Sequence, residues 1–116
     1  GQPIEGIRLR FRDGEVVEAT AARNEPLLRA WLAMDDGACR LGEVGLGLNP
    51  GLTEPLGDVL YDEKIFGTIH LALGRAYAGC GGVNRSALHW DLVKDLRRGG
   101  RLEANGRVVF DGGAFV

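Results

Sequence analysis

Long apolar runs are missing from this 116-residue chain, and none approaches the roughly 20 residues that a membrane-spanning helix needs. Cysteine is scarce. Cys39 and Cys80 form no CxxC pair and are too few for a disulfide framework, so reduced thiols are expected rather than a disulfide. An excess of positive charge is also lacking, with 14 Lys and Arg against 16 Asp and Glu, a net charge of −2. That balance excludes a sequence-independent grip on nucleic acid phosphates. The first residues, Gly1-Gln2-Pro3-Ile4-Glu5, have no basic stretch and no apolar core of a signal peptide. With 45% hydrophobic and 26% charged residues, disorder is excluded as well. The expectation is a single globular domain over residues 1–116, cytoplasmic, with no nucleic acid or membrane partner.

Glycine is what the chain has in excess. Nineteen residues make about 16% of the sequence, against an ordinary ~7%. They follow no period, which excludes collagen and solenoid repeats. In strands, such glycines mark bulges or close approaches to the backbone. Arg8, Arg10 and Arg12 alternate with Leu9 and Phe11, then Asp13-Gly14 precedes a second β-prone run to Thr20, which predicts a hairpin. Asn24 is placed as an N-cap, with Leu27, Leu28, Trp31 and Leu32 forming the apolar stripe of a helix of about ten residues that Gly37 ends. Strand-like runs follow at Leu41–Leu48, Thr68–Leu73 and Ala87–Val93, separated by loops rich in Gly and Pro. A closing hairpin turns at Asn105-Gly106. The pattern predicts an α+β domain, a mixed sheet or partly open barrel with hairpins at both ends and one clear amphipathic helix.

The only two histidines, His70 and His89, fall in strand-like runs. His89 and Asp91 are two apart and project from one strand face. An imidazole and a carboxylate there, a second imidazole from His70 and a carboxylate from Glu43 suit zinc, manganese, cobalt or iron(II). Each strand carries small residues beside these side chains: Gly45 and Gly47 with Glu43, Thr68, Ala72 and Gly74 with His70, Ala87 with His89. The opposite faces are bulky and apolar. Bare faces of this kind are expected to leave volume for metal, water and substrate. Gly79-Cys80-Gly81-Gly82 lacks the lysine of a phosphate loop and reads as a sharp connection.

These residues sit in runs that resemble the M29 metalloaminopeptidases. The resemblance is carried by Leu41-Gly42-Glu43-Val44-Gly45-Leu46-Gly47 with Asp62-Glu63-Lys64, by Gly67-Thr68-Ile69-His70-Leu71-Ala72-Leu73-Gly74 with Tyr77, and by Gly81-Gly82 through Asn84, Ser86, His89, Trp90 and Asp91. It implies a cytosolic exopeptidase that removes N-terminal residues from peptides with two divalent metals, usually cobalt or zinc. Carried over by motif, Glu43, His70, His89 and Asp91 are metal ligands, and Glu43 and Tyr77 are the catalytic candidates. Tyr77 would polarise the scissile carbonyl or stabilise its oxyanion. Family members are several times longer and bring another metal-binding glutamate from an upstream motif that Glu5 does not match. The chain therefore resembles their C-terminal domain, inactive alone and homodimeric in the full-length protein.

Two other readings compete. His70, His89 and Asp91 also make a two-His-one-carboxylate set suited to iron(II) and O₂, as in the related 2,5-dihydroxypyridine dioxygenases. The third is a non-catalytic dimerisation module presenting Leu27, Leu28, Trp31 and Leu32.

Overall fold

Two-residue turns with positive φ at both positions shape the hairpins. Asp13 and Gly14 have φ of 50° and 76°, Asn105 and Gly106 of 51° and 74°, the twist that antiparallel strands tolerate in a tight connection. In this computed structural model, which describes residues 2–116, the first turn joins β1 (Arg8–Arg12) to β2 (Glu15–Thr20). They pair antiparallel with an irregularity between Arg10 and Phe11. The second turn joins β6 (Arg101–Ala104) to β7 (Arg107–Asp111), and β7 also pairs with β8 (Ala114–Phe115). Between the hairpins, β3 (Leu41–Leu46), β4 (Thr68–Gly74) and β5 (His89–Asp95) form a three-stranded sheet in that order. The domain is α+β. Its strands fall into three small sheets, and no barrel closes among the described residues.

Contacts divide the chain into two compact units. The first comprises Gly1–Glu43 and Ala72–Trp90, the second Val44–Leu71 and Asp91–Val116. In the first, helix α1 (Glu25–Leu32) buries Leu28 completely and sets Trp31 edge-on to Trp90, ring centroids 4.9 Å apart. Such a pair contributes ~0.5–1.5 kcal/mol beyond the area it buries. Ala38, Ala72, Leu73 and Leu88 complete this core. Asn24 stands at the N-cap of α1 as the sequence suggests, but its side chain makes no capping bond. Its backbone is left-handed with φ 58°, and its side chain donates to the Pro3 carbonyl instead. Glu25 closes the helix start by accepting from the Ala21 amide at 3.1 Å. The helix ends at Leu32, and beyond it the Asp35 carboxylate accepts from Gly37 N–H at 3.0 Å.

In the second unit, Ile65, Leu96 and Phe110 are buried, and Phe66, Phe110 and Phe115 stack at 5.1–6.3 Å in tilted and edge-on pairs. A single helical turn, α2 (Val59–Asp62), is capped by Asp58 accepting from Leu60 N–H at 3.0 Å. One turn carries no periodicity, so only the Asp58 cap could have announced it. Among the described residues, no helix is long and apolar enough to cross a membrane. Cys39 and Cys80 are free thiols, the first half-buried and the second exposed.

After β5 the chain turns on Asp95, whose carboxylate accepts from Arg97 N–H at 2.9 Å and from the Arg97 guanidinium at 3.0 and 2.8 Å. Those bonds hold the carboxyl at about 2, below its ordinary 3.8. A lowered folded-state value adds stability that is complete above about pH 4 and is lost as the pH falls toward 2. The pair is half-exposed, so the effect is small. Asp95→Asn is expected to lower Tm by a few degrees at neutral pH, with the gap closing between about pH 4 and pH 2. A pH series of thermal melts checks it.

Candidate metal centre

Each expected ligand stands on a strand of the central sheet. Glu43 is half-buried on β3 and His70 buried on β4, while β5 carries His89, exposed, and Asp91, half-buried. Glu43, Tyr77 and His89 belong to the first unit, His70 and Asp91 to the second. Among the described residues, no three His, Cys, Asp or Glu side chains stand together as a group ready to hold an ion.

The small residues around these side chains do not leave open volume, contrary to the expectation from the sequence. A Cβ on Gly45 would fall 2.1 Å from both Cε1 and Nε2 of His70, so the imidazole lies directly on the Gly45 α-carbon. A Cβ on Gly47 would sit 1.9 Å from the Ile65 carbonyl and 2.4 Å from Thr68 Oγ1. At Gly42 it would sit 2.1 Å from the Gly74 carbonyl, and at Gly74 2.1 Å from that of Leu88. Thr68, His70 and Ala72 are all buried. The glycines serve close packing, and the bulky face of β3 is the open one: Val44 and Leu46 are 60% and 41% exposed.

The surroundings of His89 fix its ring. Its Nδ1 lies 2.8 Å from the Arg75 carbonyl oxygen. A carbonyl only accepts, so Nδ1 carries the hydrogen and, in the neutral ring, Nε2 carries the lone pair. Metal-binding histidines are held in this way, their other ring nitrogen donating to a carbonyl or carboxylate. Arg75 is itself fixed, its N–H donating to the Leu88 carbonyl at 2.6 Å. Two imidazoles with carboxylates are a donor set that zinc, cobalt or manganese accepts. These residues fit a divalent metal in chemistry and, at His89, in tautomer.

Tyr77 begins the turn Ala78–Cys80 and is 67% exposed. Its ring folds over Gly79, where a Cβ would lie 2.8 Å from Cε1 and 3.1 Å from the hydroxyl. The amides of Cys80, Gly81 and Gly82 donate back to the Tyr77 and Ala78 carbonyls. Turned inward, they cradle no phosphate, and the glycine run is the sharp connection its sequence suggests.

The family model for thermophilic metalloprotease (M29) matches residues 1–115. The chain belongs to the M29 family. It is 32% identical over 111 residues to aminopeptidase PepS of Streptococcus thermophilus, and 43% identical over 82 residues to aminopeptidase T of Thermus aquaticus. These matches cover 80% and 67% of the chain, but only 26% and 20% of the relatives. The chain thus spans about a quarter of the length of the M29 proteins it matches. The solved structure of wild-type AmpT from Thermus thermophilus superposes with a TM-score of 0.73 at 32% identity, covering 97% of this chain and 32% of that one.

The Arg75 carbonyl is the feature of this candidate centre that the sequence does not show. A backbone oxygen leaves no trace in residue identity. The seat of His70 on Gly45 is directly testable. Gly45→Ala is expected to cost about 1–3 kcal/mol by overpacking and to displace the imidazole, seen as a lower Tm together with shifted His70 ring resonances.

Proposed function

We propose that this chain is the metal-binding C-terminal domain of an M29 aminopeptidase, residues 1–116 acting as one domain of a longer, cytoplasmic, homodimeric protein. Its substrates are peptides, from which N-terminal residues are removed. The reading is supported chiefly by the family match over residues 1–115, joined by the fixed tautomer of His89. That match favours peptide hydrolysis over the iron(II) dioxygenase and over a non-catalytic dimerisation module.

Glu43, His70, His89 and Asp91 would hold divalent metal, zinc or cobalt by preference and manganese as a further fit. Bound there, such metal supplies Lewis acidity and lowers the pKa of water to near 7. The chain's own residues do the rest. The Arg75 carbonyl keeps His89 in the Nδ1–H form, so Nε2 is the donor. Gly45 seats the His70 imidazole and restricts its rotation. The Tyr77 phenol, held over Gly79, donates to the carbonyl oxygen as negative charge develops on it. Glu43, half-buried on β3, would serve as a carboxylate for proton transfer as well as a ligand.

The test is metal content by mass spectrometry after dialysis against zinc or cobalt. The wild-type chain is expected to retain metal and His89→Ala to lose it. Equal metal in both would reject His89 as a ligand. In the full-length protein, Tyr77→Phe is expected to keep its metal while kcat falls about 10²–10³-fold. Metal loss in that variant would instead make Tyr77 structural.

A further inference from the structure

Asn84-Arg85-Ser86 lies between the glycine connection and β5, and none of it has a part in the chemistry above. Its surroundings are ordered by one carboxylate from far along the chain. Asp35, three residues beyond α1, accepts from the Ser86 hydroxyl at 2.7 Å and from the amides of Ala87 at 2.8 Å and Gly37 at 3.0 Å. Ser86 is 5% exposed. Its oxygen also accepts from Leu88 N–H at 3.0 Å, and its carbonyl accepts from Arg75 Nε at 3.1 Å. Asn84 braces the same corner, accepting from Ser86 N–H at 3.0 Å and donating to the Gly37 carbonyl at 2.9 Å. Gly37 leaves room for this, since a Cβ there would lie 2.4 Å from Asn84 Oδ1.

The bonds form an unbroken path. Asp35 holds Ser86 and Ala87, Ser86 holds Leu88 and the Arg75 side chain, Leu88 holds the Arg75 amide, and the Arg75 carbonyl receives His89 Nδ1–H. We infer that Asp35 is a positioning residue for His89: by pinning Ser86 and Ala87 it fixes the Arg75 carbonyl against the imidazole, and so selects which ring nitrogen carries the lone pair. A carboxylate is required, because Ser86 and Ala87 both donate to it. An amide in its place turns an N–H₂ toward one of them. The consequence for catalysis rests on the aminopeptidase reading, whereas the tautomer of His89 does not.

The experiment is a long-range ¹H–¹⁵N correlation of the side-chain imidazoles in the ¹⁵N-labelled chain, recorded above the pH range where imidazole is charged. Only His70 and His89 contribute, and His89→Gln assigns them. Wild type is expected to show His89 as the Nδ1–H tautomer. Asp35→Asn is expected to shift it toward Nε2–H while His70 stays unchanged. In parallel, zinc affinity, titrated with the metal alone, should fall about 10–100-fold. An unchanged His89 tautomer in a folded Asp35→Asn chain overturns the inference. Equal disturbance of both histidines overturns it too, since that is general destabilisation. If Asp35→Asn does not fold, Ser86→Ala breaks the same path and is read by the same criteria. A wild-type chain that takes up no zinc counts against the metal reading alone, and the tautomer still decides the role of Asp35.

Discussion

Chain segments pass one another at Gly42, Gly47 and Gly74 with no room for a methyl group between them, each glycine facing a carbonyl that a Cβ would strike. The rest of the fold around the candidate centre depends on that closeness. Carbonyls that lie against a bare α-carbon are held in place without a side chain to shim them. At Gly45 the same bareness seats an imidazole instead of a backbone oxygen. A protein that fixes side chains through backbone contact gains geometric definition and loses mutational freedom. The glycine excess in the composition is the visible cost of that arrangement.

The two histidines sit in different surroundings. His70 is buried, and its ring packs against the Gly45 α-carbon. His89 is exposed and is oriented through a hydrogen bond to the Arg75 carbonyl. Hydrogen bonds near the surface compete with water, so the His89 contact needs bracing from behind. Asp35, Asn84 and Ser86 supply it. Their contacts lower the Asp35 carboxyl below its usual range, chiefly through the Ser86 hydroxyl and then the Ala87 amide.

Much of this was legible from residue order. Both tight hairpins follow from Asp13-Gly14 and Asn105-Gly106, which only one turn geometry suits. The strand positions of His70, His89 and Asp91 follow from periodicity. The M29 family is carried by short motifs in order, and the match over residues 1–115 bears them out. Other features were not legible. The small-residue faces read as open volume from residue order alone, because sequence shows a missing side chain and not what moves into its place. The Asp35–Ser86 contact spans 51 positions and has no local pattern. Asn24 carries the composition of a cap, yet its left-handed backbone and its bond to Pro3 are set by tertiary contact.

The central claim is that the chain presents His89 to metal through Nε2, with Nδ1 kept on the Arg75 carbonyl. Anomalous diffraction from crystals of the chain soaked in zinc tests it most directly. The account predicts an anomalous peak about 2.0–2.1 Å from Nε2 of His89, with the Nδ1 contact to Arg75 intact. Zinc bound through Nδ1, or an anomalous peak remote from His89, would contradict it.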